Sequence, residues 1–265
     1  MDAVDVHSVI AGMLKCRGRK LSETQTDKIS KESQQEPSAL YLSLAVTKAS
    51  TWSSFKERYE AILSSGVRPL IKQIFFEAEK GFGPVVIRVA LGFITMSMAG
   101  LSDNELLDLV SLHEGAMTEV NQYAIENKYK LAQRLPSHVW SRIRHSFAGL
   151  LVEREEGRLF WYHRQLHETA VEVYGDPTVD RSISEILGRY FGNLIPIDVC
   201  ELKSITPQPL VFAADEDMVW FPDTVVNKRR CVEAVRHLRI AGLLAEAKDE
   251  LCRVTGVSAR AKCGK

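Results

Sequence analysis

Residues 151–163 read as a β-hairpin set in an otherwise helical pattern. Leu151 to Arg154 and Arg158 to His163 are strand-like, and Glu155-Glu156-Gly157 joins them, its glycine supplying the positive φ that such a turn needs. Helical segments stand on both sides. The stretch of about 85–99 is apolar almost all round, as a core helix is, and Gly100 stops it in the manner of a C′ glycine. Ser102-Asp103-Asn104-Glu105 is a capping box that opens a short helix with Leu106, Leu107, Leu109 and Val110. Residues 113–134 are polar and read as a helical insertion of no evident role. Pro136-Ser137 starts another helix with Val139, Trp140, Ile143, Phe147 and Leu150 on one face. After the hairpin, Leu166, Ala170, Val171 and Tyr174 mark a helix that ends at Gly175-Asp176-Pro177.

Helices followed by a two-stranded wing is the order of a winged-helix domain, and the expected fold class is mainly α. The chain divides into a helical lid bundle at 1–82, the winged helix with its β-hairpin wing at 83–177, a further helical region at 178–255 and a frayed tail at 256–265. In the first unit Ser22 and Gln25 form a capping box ahead of a helix from about Glu23 to Ser33. Leu40, Tyr41, Leu44 and Ala45 recur at helical spacing after Pro37, and residues 53–63 and 67–80 add two amphipathic stretches. In the third unit, 179–195 reads as helix and Ile195 to Asp223 as a long ordered loop. Asn227 to Cys252 reads as helix, with Val232, Val235, Leu238, Leu243, Leu244, Ala247 and Leu251 as its apolar stripe.

Several classes of function fall away. With 45% apolar and 26% charged residues and zero net charge, nothing global steers the chain to nucleic acid or to an anionic membrane. The apolar stretch Val85 to Leu101 is too short, and too interrupted by Arg88, to span a bilayer. The N-terminus lacks the basic-then-apolar order of a signal peptide, so a cytoplasmic location is expected. Cys16, Cys200, Cys231, Cys252 and Cys263 have no C-x-x-C spacing, which argues against a disulfide framework or a zinc site. A Cys231–His237 nucleophile pair fails because the two lie on different faces of a helix.

In co-linear order, four segments resemble the signal-transducing P-loop NTPases of the NACHT type, closest to telomerase-associated and nephrocystin-like members with C-terminal repeats. Ser38-Ala39-Leu40-Tyr41-Leu42 is similar to the Asn-Pro-Leu-Tyr-Leu segment where their lid helices approach adenine, with Ala39 in place of the usual proline. Leu101 to Leu107 is similar to the second helix of their winged-helix domain. Arg158 to Leu166 resembles their His-Arg-Gln-Leu segment, and Val225 to Leu238 the helices that precede their repeats. The resemblance implies a regulatory nucleotide-switch module that sets closed, ADP-bound against open, ATP-bound states. It implies that Ala39, Leu40 and His163 approach the nucleotide, His163 at the β-phosphate of ADP; the alternative for His163 is a helix-capping or packed histidine.

The chain contains no G-x-x-x-x-G-K-[ST], and Gly81-Phe82-Gly83-Pro84 cannot replace it. No ATP hydrolysis by these residues alone is therefore expected, and no cofactor; ADP or ATP would bind only with a nucleotide-binding domain. The expected partners are that P-loop domain and a C-terminal repeat domain of the parent chain, with other proteins, no membrane and no nucleic acid. The alternative function is a winged-helix nucleic-acid binder, for which Arg142 and Arg144 with His138 and His145 could face phosphates. Their other reading is a solvated face or one packed on the nucleotide domain. Trp161 and Tyr162 read as core, and Lys228-Arg229-Arg230 with Arg236 and Arg239 as a wet helix face.

Overall fold

The computed structural model describes residues 3–35, 37–52, 63–126, 128, 130–175, 177–208 and 227–252. Helices α1 (Ala3–Cys16), α2 (Glu23–Gln35), α3 (Ala39–Ala49) and α4 (Val67–Phe82) come first. The helices α5 (Pro84–Met96), α6 (Asp103–Leu112), α7 (Glu114–Glu126) and α8 (Ser137–Ser146) precede strands β1 (Leu151–Arg154) and β2 (Arg158–Trp161). Then follow α9 (Arg164–Tyr174), α10 (Pro177–Phe191), α11 (Ile197–Lys203), α12 (Lys228–Ile240) and a last helix, α13, over 244–252. The mainly helical class and its single hairpin hold among the described residues. The amphipathic stretch expected at 53–63, most of the loop ending at Asp223, and the tail lie outside them.

Local chemistry fixes many of the boundaries. Both capping boxes form: Ser22 N–H donates to Gln25 Oε1 at 3.0 Å while Gln25 N–H donates to Ser22 Oγ, and Ser102 exchanges the same pair of bonds with Glu105. In the wing Leu151 pairs with Trp161 and Arg154 with Arg158, so β2 stops at Trp161, two residues earlier than its pattern suggests. Glu156 (φ 62°) joins Gly157 (φ 71°) in the left-handed region, so the turn uses both residues rather than the glycine alone. Leu159 N–H donates to Leu101 O at 2.8 Å, which adds the segment ahead of α6 to the edge of the hairpin.

Helix α5 is the axis of the winged helix. Val86, Ile87, Val89, Ala90, Leu91, Phe93 and Ile94 are all buried, and only Arg88 and the ends reach solvent. It packs against α4, α6, α7, α9, α10 and β2. Trp140 and Phe147 are buried as their helical face demands. Phe75 of α4 gathers Phe147, Trp161 and Tyr174 within 5.5–6.1 Å between ring centroids, which ties α4, the end of α8, the wing and α9 together. Trp161 is core, and its Nε1–H donates to Thr95 Oγ1 at 3.0 Å, but Tyr162 is 59% exposed and is not. The insertion has a structural role. Ala116 and Met117 of α7 are buried, and Glu119 accepts from Val86 N–H at 2.8 Å, filling the first turn of α5. One apolar cluster runs from Val6 of α1 to Ala234 of α12, so the first helices, the winged helix and the last helices share a core.

Three readings of helices change. Helix α5 ends at Met96, not near residue 99; Gly100 lies in the loop that follows, at φ 69°, where a Cβ would stand 2.4 Å from the Phe160 ring. Residues 197–203, read as loop, form α11. The long helix expected at 227–252 is two helices, broken at Ala241–Gly242, where Gly242 takes φ 81°. Within α9, Val171 is 46% exposed and does not belong to the buried face.

Candidate functional site

Helices α3, α4 and α9 run side by side in one direction. Tyr41 Oη donates to Ser64 O just ahead of α4, and Lys48 near the end of α3 pairs with Glu77 of α4. Arg68 pairs with Glu168 (3.3 Å) and Lys72 with Glu172 (2.5 Å), which sets α4 and α9 in the same sense. The N-termini of the three helices therefore share one end of the molecule. There the aligned peptide dipoles and first-turn N–H groups favour an anion. Helix α4 opens at Gly66 with no side-chain cap.

The expected site residues stand at this end. Ala39 is the first residue of α3 and exposed, Leu40 is half-buried against the core, and Ser38 caps the helix by accepting from Tyr41 N–H. His163 is the N-cap of α9, exposed, with Nδ1 accepting from Gln165 N–H at 3.2 Å. The capping alternative is thus realised in this structure. It also sets the tautomer: an Nδ1 that accepts from a backbone N–H leaves the proton of the neutral ring on Nε2, free to donate outward. No hydrogen bond joins His163 to Ala39 or Leu40 among the described residues. Arg164 pairs with Glu168 one turn on, and His167 Nε2 lies 3.2 Å from Thr95 O, a tie between α9 and α5.

The basic groups behave differently from their sequence reading. Arg144 is neutralised by Asp103 of α6 and Glu153 of β1, acids that come from outside its own helix. Arg142 has no such partner among the described residues and lies over the Phe82 ring, 5.6 Å from its centroid. Of the basic residues read as a wet face of α12, Arg239 is exposed, but Arg229, Arg230 and Arg236 are not free in solvent. Arg229 pairs with Glu105, donates to Gly100 O at 2.6 Å and stacks over Phe191; Arg230 pairs with Glu250, both almost fully buried. Arg236 donates to Met96 O at 2.8 Å. The stripe read as apolar is split: Leu238 and Ala247 are buried, whereas Val232 (44%), Leu244 (65%) and Leu251 (48%) are turned out.

What α12 buries instead is a clamp. Glu233 Oε1 accepts from Ser97 Oγ, Met98 N–H and Ala99 N–H at 2.8–2.9 Å, holding the loop between α5 and α6. Its Oε2 lies 3.0 Å from His237 Nε2, and both residues are fully buried. Burial alone would push the Glu233 carboxyl up. The hydrogen bonds from His237, Ala99 and Ser97 and the nearby imidazole outweigh it and hold the group below the ordinary carboxylate value. The loop it grips leads directly to Leu101 on the hairpin edge. Sequence reading missed this clamp; its one trace was a Glu–His pair four residues apart. No cluster of His, Cys, Asp and Glu that could hold a metal ion exists among the described residues, and no helix among them is long and apolar enough to cross a membrane.

A winged helix with a bundle packed on either side defines the class of this chain. Residues 56–159 match the family model of the NWD1-like winged helix-turn-helix domain. The chain is similar to the human NACHT and WD repeat domain-containing protein 2, 31% identical over 156 residues, which is 57% of this chain and 9% of that protein. It is also similar to the mouse NACHT domain- and WD repeat-containing protein 1, 27% identical over 226 residues, or 79% of this chain and 14% of that protein. The matched stretches thus span a small part of these relatives. No solved structure matches it. Residues 56–159 thus match a winged-helix domain of the NWD1 type, and the similarity to NACHT and WD repeat proteins supports the NACHT-type resemblance of the motifs.

Proposed function

We propose that these residues form the lid and winged helix of a nucleotide switch, working with a NACHT-type nucleotide domain and a WD-type repeat domain of the same polypeptide in the cytoplasm. ADP sits between the nucleotide domain and the end formed by the N-termini of α3, α4 and α9. His163 Nε2–H donates to the β-phosphate, and Ala39 and Leu40 approach adenine. Exchange for ATP rotates the winged helix away from the nucleotide domain, because only contacts that differ between the two nucleotides shift such an equilibrium. The observation that carries the reading is the His163 cap, which leaves an outward Nε2–H at an end rich in helix N-termini. These residues do not turn over ATP alone: the sequence offers no backbone cradle for the phosphates.

The test is made on the polypeptide that joins this chain to its nucleotide domain. A hydrogen bond to phosphate is worth about 0.5–3 kcal/mol, so His163→Ala weakens ADP binding by about two- to a hundred-fold. ATP affinity stays level or improves. His167→Ala, which removes the tie to Thr95, lowers the melting temperature without separating the two nucleotides. Equal weakening of ADP and ATP by His163→Ala sinks the switch reading and leaves a structural cap.

A further inference from the structure

A cleft of about 960 Å³ opens between the turn after α1, the end of α3 and α8, lined by Arg17, Arg19, Arg142 and His145 beside Thr47 and Ser141. Among the described residues, half of the arginines meet a carboxylate: Arg68, Arg134, Arg144, Arg158, Arg164, Arg189, Arg229 and Arg230. Those of the cleft are held by neutral groups instead. Arg17 Nη2 donates to Thr47 Oγ1 at 2.9 Å, Arg19 Nη2 donates to Trp52 O at 2.7 Å, and Arg142 lies on Phe82. Among the described residues no acidic side chain lines the space. Three formal positive charges thus face one cleft, each anchored and each with guanidinium donors to spare.

Cations commonly gather where helices end, because they offset the negative end of the helix dipole. Arg17 and Arg19, just past α1, fit that account. Arg142 does not, since it lies ahead of the last turn of α8, which holds Arg144 and His145. Mutual repulsion of unneutralised guanidinium groups opposes folding, and an anion bound between them removes it. Fork-shaped donors held in place match phosphate oxygens, and several forks match several phosphates.

We propose that this cleft binds a phosphate-bearing anion with two or more phosphates close together. The cleft lies at the C-terminal ends of α3 and α4, near Thr47 and Phe82, opposite the end that carries His163. Its failure and that of the nucleotide switch are therefore separable.

The probe is sodium tripolyphosphate, titrated calorimetrically into the full 265-residue chain at low ionic strength. Binding is expected, weakening as salt is raised. Arg17→Ala with Arg142→Ala should weaken it at least about tenfold, the loss of roughly 1.4 kcal/mol. Arg144→Ala, whose charge is already paired, and His163→Ala should change it less than about twofold. If the double variant fails to fold by circular dichroism, Arg142→Gln alone, on an exposed side chain, makes the same test. Vesicles containing phosphatidylinositol bisphosphate, against phosphatidylserine vesicles, identify the source. Retention that the double variant loses assigns a lipid headgroup, and no retention beside tripolyphosphate binding assigns a soluble ligand. The proposal is overturned by no tripolyphosphate binding, by binding that the double variant keeps, or by binding of duplex DNA alone.

Discussion

Helices α5 and α12 are both central, yet they are buried by opposite means. Helix α5 carries an almost continuous apolar surface and is covered on every side by other elements. Helix α12 turns Arg230, Glu233, Ala234, His237 and Leu238 inward, a regular stripe of helical period in which three of the five members are ionisable. It leaves Val232 and Ile240 in solvent. Close approach makes the polar choice workable. Gly188 of α10 lets the α12 backbone in, since a Cβ there would lie 2.7 Å from Leu238 N, and Arg181 donates to Ala241 O at 2.9 Å. The apolar helix gains from any dry neighbour. The polar one is held only where each donor meets its acceptor, so α12 specifies one position against the α5–α6 loop.

That difference gives the largest expected effect. Glu233→Ala orphans the Ser97, Met98 and Ala99 donors and leaves His237 buried without its partner. Breaking a buried pair costs about 3–5 kcal/mol, and the orphaned donors put this case at the upper end. The sign of its pH dependence follows from the depressed carboxyl. The stabilisation is complete above the ordinary carboxylate value and is lost as pH falls through the lower, folded-state value. Urea melts across acid pH should show that loss in the native chain and a flatter profile in Glu233→Gln. Parallel profiles would remove Glu233 from the clamp.

The same contrast explains what the sequence revealed. The helix periods, both capping boxes, the hairpin and the buried Trp140 and Phe147 were legible because each depends on near neighbours or on apolar burial. Arg229 and Arg230 were illegible because Glu105 and Glu250 lie 124 and 20 residues away, and a basic run shows no sign of distant acids. Choosing Val232 over Glu233 and His237 for the inward face of α12 followed hydrophobicity where long-range pairing had decided. The position of His163 as a cap was open in its sequence, since Asn, Asp, Ser and Thr are the residues that usually announce an N-cap. The basic cleft was half legible: Arg142 and His145 stood out as groups that could face phosphates, but Arg17 and Arg19 are brought to them only by the packing of α1 and α8 on α3 and α4.

A smaller loss is expected in the apolar helix. Leu91→Ala, at a fully buried position of α5, should cost about 2–4 kcal/mol with no dependence on pH between 4 and 7. Apolar side chains of the elements packed on α5 can relax toward a cavity, which a network of fixed hydrogen bonds cannot do. A pH-dependent loss at Leu91 would show that the two helices are not held by separate means.

The smallest effect belongs to the outer faces of α12, which carries Val232, and of α13, which carries Leu251. If hydrophobicity had set the orientation of these two helices, Val232→Ala and Leu251→Ala would each remove core contacts and cost a kilocalorie or more. With 44% and 48% of these residues exposed, each substitution should instead shift stability by less than about 0.5 kcal/mol. Alanine's better helix propensity offsets part of what Val232 loses in burial. Val232→Asp is the sharper version, because a carboxylate is tolerated in water and ruinous in a core. Three residues along, Val235 is half-buried and stands between the two faces. A Val232→Asp variant that folds and melts within about 1 kcal/mol of the parent places the polar stripe inward in solution. One that fails to fold would mean that α12 presents Val232 to the core and that the Glu233 clamp is not its resting arrangement.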